Sequence, residues 1–440
     1  MTNNSFLLYL NTRAVSLERD AEIQAAQDAG INFILVAPSA EPYRKYNLTH
    51  FLEAPVTSHA EARRIILDYI QETGVNIRGI VAWSEHQVEL IAQLGADLGL
   101  PATTLEAANN VRSKANTRKV LDQLDGVNPR YALVQDESSF KAALDLVGVP
   151  CLLKPAGSSG GRGIFKIESY DQALSTFRKA TEYCDPQRDD VYSYFHHEFV
   201  LEQALTGSEH SVSGMVADGQ IVVFSITDKQ IDLSIPIQYQ NITPSTLPQA
   251  TQNQIIQMAR SAVKLTGINW CGFHIDFMIT SEGPKILEIG GRLGGECINS
   301  HLIPLSRPMI NPYQLLLKVV QGINPFNKDN YVFDAMNRAG MRTFLPSGPG
   351  RILSMQGLDR VRLHPNTREF VQLRRPGDQV FLPSVQYYGY ELGHVIVQCN
   401  MQENIEDILE NMASWVVTEI EPSEDRSAIA HRSKVLPMDG

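Results

Sequence analysis

The sequence predicts a multidomain protein of mixed α/β and α+β architecture. Residues 1–100 alternate short apolar strands with amphipathic helices, which is typical of a parallel sheet with helices on both faces. Residues 199–226 and 340–400 are rich in strand-forming sequence. With 440 residues the chain is also too long for a single core, because domains usually hold about 100–200 residues.

The N-terminal elements follow from hydrophobic periodicity. It predicts three buried strands, at residues 6–10, 33–37 and 77–82. It predicts helices at residues 59–73 and 85–98, where apolar residues recur at spacings of three and four. The second helix should end at Gly99, because glycine readily adopts the left-handed conformation that closes many helices.

Further along the chain, the same reasoning predicts a helix at residues 104–124 and then strands and helices in turn. The predicted elements are a strand at 131–134, a helix at 138–146, a strand at 151–154, strands within 199–226, and a helix at 251–265. Strands at 272–279 and 285–289 form a hairpin about the turn at 281–284. Residues 229–250 are rich in Gln, Asn, Ser, Thr and Pro, so we expect a long loop there.

Composition excludes several classes of protein. The net charge of −11 argues against a nucleic-acid-binding protein, which needs a basic surface. The five cysteines include no C-x-x-C pair, so we expect reduced thiols in a cytoplasmic protein. The N-terminus does not resemble a signal peptide, and no apolar stretch reaches the roughly 18–20 residues that span a bilayer, so we expect no membrane partner.

A glycine-rich segment, residues 154–163, follows a predicted strand. Its four glycines and two serines suit a mobile loop whose backbone N–H groups fold over phosphate oxygens. Lys154 at the strand end would add a cation to the same phosphates. The segment is not a P-loop, because no G-K-[ST] sequence occurs. The alternative is a tight surface hairpin.

Two carboxylates lie on the predicted hairpin. Asp276 and Glu288 are on adjacent strands, where cross-strand pairing brings side chains together and like charges repel unless a cation intervenes. Oxygen ligands and phosphates suit Mg²⁺. Arg292 offers a planar fork for phosphate oxygens. The alternative is a pair of exposed strand carboxylates with no ligand.

A third segment, residues 200–209, has residue types that could bind a nucleoside. Adenine needs an apolar slot with backbone groups at its edge, and a ribose needs a carboxylate for its hydroxyls. Glu202 and Glu209 are placed in the sequence to contact the two ends of such a nucleoside, the base and the sugar. The alternative is a strand, a turn at Thr206 and Gly207, and surface acids.

In this order, the three segments resemble the ATP-grasp superfamily over nearly the whole chain. The resemblance is closest to the branch of bacterial L-amino-acid ligases, in which a lysine-bearing helix precedes the glycine loop, as residues 112–118 do here. The resemblance implies Mg²⁺, with Mn²⁺ as an alternative, and ATP. It implies that Arg292 and Lys154 are catalytic and that Asp276 and Glu288 hold the metal. The implied ATP-binding residues are Lys114, Lys154, Gly157, Ser158, Ser159, Gly160, Gly161, Glu202, Ala204, Leu205 and Glu209.

The resemblance also implies a division of the chain into four parts. A Rossmann-like N-terminal α/β domain would span residues 1–105 and precede a two-lobed ATP-grasp module. Its small lobe, 106–200, would carry the glycine-rich loop, and its large lobe, 201–330, the metal site. A strand-rich part, 331–440, would pack on the large lobe.

One position departs from the superfamily. Many ATP-grasp enzymes have Asn two residues after the second metal carboxylate, whereas this chain has Gly290, so water or a substrate oxygen would replace a third protein ligand. The Glu-x-x-x-Arg spacing from Glu288 to Arg292 and the pair Gly294 and Gly295 fit the amino-acid-ligase branch.

Three residues are candidates for substrate recognition. Glu296 falls where the branch tends to line the amine-acceptor pocket; the alternative is an acid in the first turn of a helix. Lys229 lies in a stretch that the branch places near the active site. His274 shares a strand face with Asp276, and we interpret it as structural, with a substrate role as the alternative.

These features predict an ATP-dependent carboxylate–amine ligase. It would form an amide or dipeptide bond through an acyl phosphate and release ADP and phosphate. Its partners would be small carboxylates and amines, amino acids above all, and it would form a homodimer. The alternatives are an ATP-grasp carboxylase that uses bicarbonate and a catalytically inactive nucleotide-binding regulatory protein.

Overall fold

The computed structural model describes residues 5–232, 237–326, 334–383 and 389–422. These residues form two compact units. The first lies within Met1–Phe224, Leu247–Gly294 and Pro312–Tyr331, and the second within Ser225–Thr246, Gly295–Asn311 and Val332–Gly440. Among the described helices, none is both long enough and apolar enough to cross a lipid bilayer.

The first unit begins with a four-stranded parallel sheet and its helices. The elements are β1 (Ser5–Leu10), α1 (Ser16–Asp28), β2 (Phe33–Ala37), β3 (Phe51–Glu53), α2 (His59–Thr73), β4 (Asn76–Ala82) and α3 (Val88–Leu98). The strand order is β3-β2-β1-β4. The three predicted strands and two predicted helices are confirmed, although the second helix opens as a 3₁₀ turn, Glu85–Gln87. Gly99 caps α3 with a left-handed φ of 63°, as predicted.

The predicted helix at residues 104–124 is two helices, α4 (Leu105–Arg112) and α5 (Lys114–Leu121). Ser113 separates them in an extended conformation, and its hydroxyl accepts a hydrogen bond from the backbone N–H of Asn116, 3.3 Å away. Serine favours such caps because its side chain satisfies an N–H that the first helical turn leaves unpaired. The break makes Lys114 the first residue of a new helix.

A small antiparallel sheet follows in the first unit. Its region comprises β5 (Tyr131–Val134), α6 (Glu137–Val147), β6 (Cys151–Pro155), β7 (Phe165–Ile167), α7 (Tyr170–Tyr183) and β8 (Phe199–Gln203). The strand order is β5-β8-β6-β7. Phe140 and Phe177 stack with ring centroids 4.6 Å apart, and Phe199 meets Phe177 edge-on. This aromatic core fixes the strand from which the glycine-rich loop leaves.

The chain continues through six more elements: β9 (Ser208–Ala217), β10 (Gln220–Asp232), β11 (Ile237–Thr243), α8 (Gln249–Thr266), β12 (Cys271–Thr280) and β13 (Gly283–Gly290). In the first unit, β13, β12 and β9 pair antiparallel in that order. The predicted hairpin of β12 and β13 is confirmed, and Asp276 lies directly opposite Glu288.

The last elements are α9 (Ile303–Ser306), α10 (Pro312–Val319), β14 (Asn337–Phe344), β15 (Gly350–Gln356), α11 (Leu358–Arg362), β16 (Thr367–Gln372), β17 (Gln379–Val380), β18 (Gly393–Asn400), α12 (Ile405–Trp415) and β19 (Val417–Pro422). In the second unit, β11, β14, β18 and β16 are successive neighbours, and β15 lies between β17 and β19. The strand-rich prediction for residues 340–400 is confirmed, except that residues 384–388 lie outside the described ranges.

The predicted loop at residues 229–250 is wrong where β10 and β11 lie, whereas residues 244–248, before α8, do lie outside helices and strands. β10 continues to Asp232 and β11 covers Ile237–Thr243, while residues 233–236 are not among those described. β11 is hydrogen-bonded to β10 on one side and to β14 on the other. Gln240 and Asn241 are buried in it. The polar composition was misleading because pairing on both edges satisfies the strand's backbone whatever its side chains are.

Candidate active site

The glycine-rich loop leaves β6 at Pro155 and turns immediately against another segment of the first unit. A Cβ atom on Gly157 would lie 2.3 Å from the carbonyl oxygen of Tyr194, so only glycine fits at this close approach. Gly160 and Gly161 have φ of 66° and 77°, in the left-handed region. Both are exposed, whereas Ser158 is buried. The loop therefore has a fixed base and an open tip.

Arginines hold both sides of this loop. Arg112, at the end of α4, donates from both Nη atoms to the Gly157 carbonyl at 3.3 Å. Arg162 donates from Nη2 to the Ser159 hydroxyl at 3.1 Å and pairs with Asp189 at 3.0 Å. The loop is thus tied to its neighbours by cations that are themselves candidates for contact with phosphate oxygens.

Lys114 connects the glycine-rich loop to the predicted metal site. Its Nζ donates to the carbonyl of Ser158 and lies 3.2 Å from Glu288 Oε1. The backbone N–H of Lys114 also donates to the carbonyl of Ala156 at 2.9 Å. Because the break at Ser113 places Lys114 at the start of α5, its side chain reaches both groups from one anchored backbone position.

Lys154 belongs to a buried ionic network. Its Nζ donates to Glu202 Oε2 at 2.7 Å, and Arg118 Nε donates to Glu202 Oε1 at the same distance. Burial alone would raise the pKa of Glu202, but the charges of Arg118 and Lys154, with their hydrogen bonds, lower it to about 2. The carboxylate is therefore ionised throughout the neutral range and balances two buried cations.

The Arg118 guanidinium extends this network to a second sheet. It donates to the carbonyls of Ile286 at 2.9 Å and Leu287 at 2.7 Å, in the strand residues just before Glu288. Arg118 is almost completely buried. One side chain on α5 therefore fixes both β8 and β13.

The opposing pair Asp276 and Glu288 has the donor chemistry for a hard divalent cation. Their side chains are 19% and 35% exposed, so carboxylate oxygens remain accessible beside the cationic Lys114. His274 Nε2 lies 3.1 Å from Asp276 Oδ1 and orients that carboxylate. Among the described residues, no group of three or more His, Cys, Asp or Glu side chains is arranged to hold a metal. The pair therefore fits a metal that takes its other ligands from phosphates and water.

Gly290 is crowded by a carboxylate from the N-terminal sheet region. A Cβ atom there would lie 2.9 Å from Glu85 Oε2 and 3.7 Å from Arg292 Cζ. The same Glu85 oxygen lies 3.0 Å from Arg292 Nε. The space beside Gly290, the position at which the resemblance leads one to expect asparagine, is thus occupied by a Glu–Arg ion pair.

The segment after β8 holds the predicted nucleoside-binding residues. The backbone N–H of Ala204 donates to the Pro150 carbonyl at 3.0 Å, and Leu205 is half-buried beyond it. Glu209 lies on β9 opposite Met278. The Glu202 side chain is engaged by Arg118 and Lys154, so a contact between Glu202 and adenine stays a prediction.

Two substrate candidates lie in the second unit. Lys229 is half-buried on β10, opposite Asn241 on β11. Glu296 is exposed, with φ of 58°, and its carboxylate accepts hydrogen bonds from the amides of Gln238 and Asn241. It precedes Cys297, the cap of a π-helical turn at Ile298–Leu302, so the alternative of an acid in the first helical turn is wrong.

Sequence reasoning missed Glu85, Arg118 and His86 as site residues. Glu85 and His86 follow the carboxyl end of β4, and ligand sites in parallel sheets gather at that end. Burial, followed by the charges of Arg112 and Arg162, lowers the pKa of His86 to about 3. Arg118 carried no signal, because its partner Glu202 is distant in the chain.

Two families match parts of the chain. Residues 147–300 match the ATP-grasp domain, and residues 342–421 match L-amino acid ligase C-terminal domain 2. The chain carries an ATP-grasp domain and an L-amino acid ligase C-terminal domain. The glycine-rich loop and the pair Asp276 and Glu288 fall inside the ATP-grasp domain, whereas Lys114 precedes it.

Two curated proteins similar to this chain are named as a ligase and a synthase. Alanine–anticapsin ligase from Bacillus subtilis (strain 168) is 25% identical over 211 residues, 45% of this chain and 44% of that protein. Carnosine synthase 1 from Homo sapiens is 21% identical over 301 residues, 64% of this chain and 36% of that protein. The chain thus spans about half the length, or less, of these curated relatives.

One solved structure is similar to this chain over nearly its whole length. The crystal structure of an L-amino acid ligase from Bacillus licheniformis gives a TM-score of 0.79 at 18% identity, covering 96% of this chain and 100% of that one. This likeness shows a shared multidomain α/β fold.

The buried network predicts the effect of Glu202→Gln on stability. At neutral pH the substitution should lower the free energy of unfolding by about 3–5 kcal/mol, because it leaves two buried cations without their counter-charge. Since the pKa of Glu202 is lowered in the folded state, its stabilisation is present above its ordinary pKa of 4.5 and is lost as the pH falls through about 2. Urea unfolding from pH 7 to pH 2 measures this.

The matched control is Asp97→Asn, which breaks the more exposed Arg63–Asp97 pair of the same unit. Its effect should stay within about 0.5–1 kcal/mol. A difference between wild type and Glu202→Gln that did not narrow at low pH would show that the ion pairs are not what stabilises this part of the fold.

Proposed function

We propose that this protein is an ATP-dependent carboxylate–amine ligase that forms an amide or dipeptide bond through an acyl phosphate and releases ADP and phosphate. The observation that carries the proposal is the position of Lys114. Its ammonium group contacts the glycine-rich loop at Ser158 and the predicted metal ligand Glu288 at the same time. A phosphate chain and a metal ion would be bound in one place by such an arrangement.

ATP would bind between the glycine-rich loop and the residues that follow β8. Lys114, Lys154 and the loop residues Gly157 to Gly161 would contact its phosphates. Ala204 and Leu205, with Glu202, would border the adenine, and Glu209 would bind the ribose. In this proposal the N-terminal sheet is Rossmann-like, and the four-part division at residues 105, 200 and 330 is kept.

Asp276 and Glu288 would hold a divalent metal, Mg²⁺ or alternatively Mn²⁺. The bound metal would neutralise charge on the phosphate oxygens during transfer. Lys154, held by Glu202, and Lys114, held by Glu288, would present fixed positive charge to the same oxygens. Arg292 would steady the transferred phosphoryl group with its planar guanidinium.

The reaction would consist of two displacements. An oxygen of the carboxylate substrate attacks the γ-phosphorus of ATP, and the bond to the ADP oxygen breaks. The amine nitrogen then attacks the carbonyl carbon of the acyl phosphate, phosphate leaves, and the amine loses a proton. No side-chain nucleophile is required, so positioning and exclusion of water are the main contributions of the protein. The exposed loop tip at Gly160 and Gly161 suits a cover over the reacting groups.

The two substrates would be amino acids, in keeping with the names of the similar ligases. Glu296 is proposed to attract the amine. Its carboxylate accepts a hydrogen bond from Asn241, which lies opposite Lys229 on the neighbouring strand of the second unit, so Lys229 is proposed as a second substrate residue. His274 is proposed to act on substrate only through Asp276. A homodimer and a cytoplasmic location stay predictions.

The purified full chain should release phosphate and ADP only when a carboxylate and an amine are both supplied. The experiment is a matrix of amino-acid pairs with ATP and Mg²⁺, scored by phosphate release, by nucleotide chromatography and by product mass. Release of AMP and pyrophosphate would exclude the acyl-phosphate route. Turnover with bicarbonate and no amine would indicate the carboxylase, and the absence of turnover with retained ATP binding would indicate the regulatory protein.

Asp276→Asn and Glu288→Gln should each reduce ligation by at least about a hundredfold, because each removes an anionic metal ligand and the charge neutralisation that depends on it. Both variants should keep the wild-type melting temperature within about 4 °C, as neither side chain is buried. The measurements are the rate against metal concentration and thermal unfolding. Unchanged metal dependence in both variants would remove these residues as ligands.

Glu296→Gln should raise KM for the amine about five- to twentyfold and leave KM for ATP unchanged, because loss of binding energy at one subsite affects one substrate. The glutamine keeps the size of the side chain that faces Gln238 and Asn241. Steady-state kinetics over several amines tests this. Wild-type constants for every amine would make Glu296 a structural residue.

A further inference from the structure

Glu85 is a buried carboxylate that the reaction described above does not use. Its side chain is 5% exposed, and neither of its oxygens has a hydrogen-bond partner among the described residues. A buried carboxylate is costly unless an opposite charge compensates it. The compensating charge here is the Arg292 guanidinium, whose Nε lies 3.0 Å from Glu85 Oε2.

The orientation of Arg292 depends on this contact. Arg292 Nη1 also donates to the carbonyl of the neighbouring Leu293 at 3.1 Å. The side chain is 21% exposed, so one edge remains accessible. The guanidinium therefore lies between the buried Glu85 carboxylate and the Leu293 carbonyl.

Gly290 provides the space in which this ion pair lies. Its φ is not in the left-handed region, so its backbone conformation does not require glycine. A Cβ atom at this position would meet Glu85 Oε2 at 2.9 Å, closer than ordinary van der Waals contact, and would meet Arg292 Cζ at 3.7 Å. The absence of a side chain at 290 is therefore what allows the carboxylate to reach Nε.

From this arrangement we infer that Glu85 is a positioning residue for Arg292, and that glycine at 290 is required by the Glu85–Arg292 pair. The inference rests on the proposed function of Arg292 at the transferred phosphoryl group. Gly290 leaves space for the Glu85 side chain. The Glu85 carboxylate lies in that space and orients the Arg292 guanidinium.

The test measures binding of a phosphoryl-transfer mimic, so that it does not require turnover. The affinity for ADP with Mg²⁺ is compared with and without aluminium fluoride, which stands in for the transferred group. We define the ratio as the dissociation constant for ADP without aluminium fluoride divided by the constant with it. A high ratio therefore reports favourable contacts to the transferred group alone. Arg292→Ala should lower the ratio, and Glu85→Gln should lower it by at least about fivefold with the affinity for ADP alone unchanged.

A double-mutant cycle separates positioning from a general structural effect. In the Arg292→Ala background, Glu85→Gln should change the ratio by less than about twofold, because the group through which it acts is gone. Glu85→Asp, which keeps the charge, should partly restore the ratio. Asp97→Asn, in the Arg63–Asp97 pair, serves as the control and should leave the ratio at its wild-type value.

Gly290→Ala tests the role of space. It should lower the ratio in the wild-type background and have little effect when Glu85 is alanine. Additive effects of Glu85→Gln and Arg292→Ala, or an equal effect of Gly290→Ala in both backgrounds, would overturn the inference. If Arg292→Ala itself leaves the ratio unchanged, the proposed role of Arg292 fails instead, so the two failures are distinguishable.

Discussion

The buried ion pairs of Glu202 with Arg118 and Lys154 are the constraint on which the candidate site depends. Arg118 joins Glu202 on β8 to the carbonyls of Ile286 and Leu287 on β13. Two sheets of the first unit are therefore held by one guanidinium. Such a network costs free energy to desolvate and is stable only when each charge has its partner. It consequently fixes the relative position of Lys154 and Glu288.

The break between α4 and α5 complements this network. If residues 104–124 formed one continuous helix, the N–H of Lys114 would be bonded within the helix. Ser113 instead ends α4 and caps α5, and the Lys114 N–H bonds to the loop base at Ala156. From that position its ammonium reaches Ser158 and Glu288. The helix boundary thus brings together the glycine-rich loop and a carboxylate that are far apart in the chain.

The sequence was sufficient to predict most local elements of the first unit, because each has a strong periodic pattern and a clear end signal, as Gly99 illustrates. It also predicted that Asp276 and Glu288 face each other, since a short hairpin leaves little choice of register. It failed for β11, where strand pairing overrides a loop-like composition. Glu85 and Arg118 were missed because their roles arise from partners distant in sequence.

At Gly290 the absence of a side chain has a structural consequence that the sequence does not indicate. From sequence alone, glycine in place of asparagine implies that water or a substrate oxygen replaces a third protein ligand of the metal. In the structure the vacated volume is filled by Glu85, a carboxylate with a different partner. Its charge is balanced by Arg292, so the proposed metal ligands Asp276 and Glu288 are not involved in this ion pair. In our proposal, the glycine at 290 and the ion pair of Arg292 two residues later are parts of one arrangement.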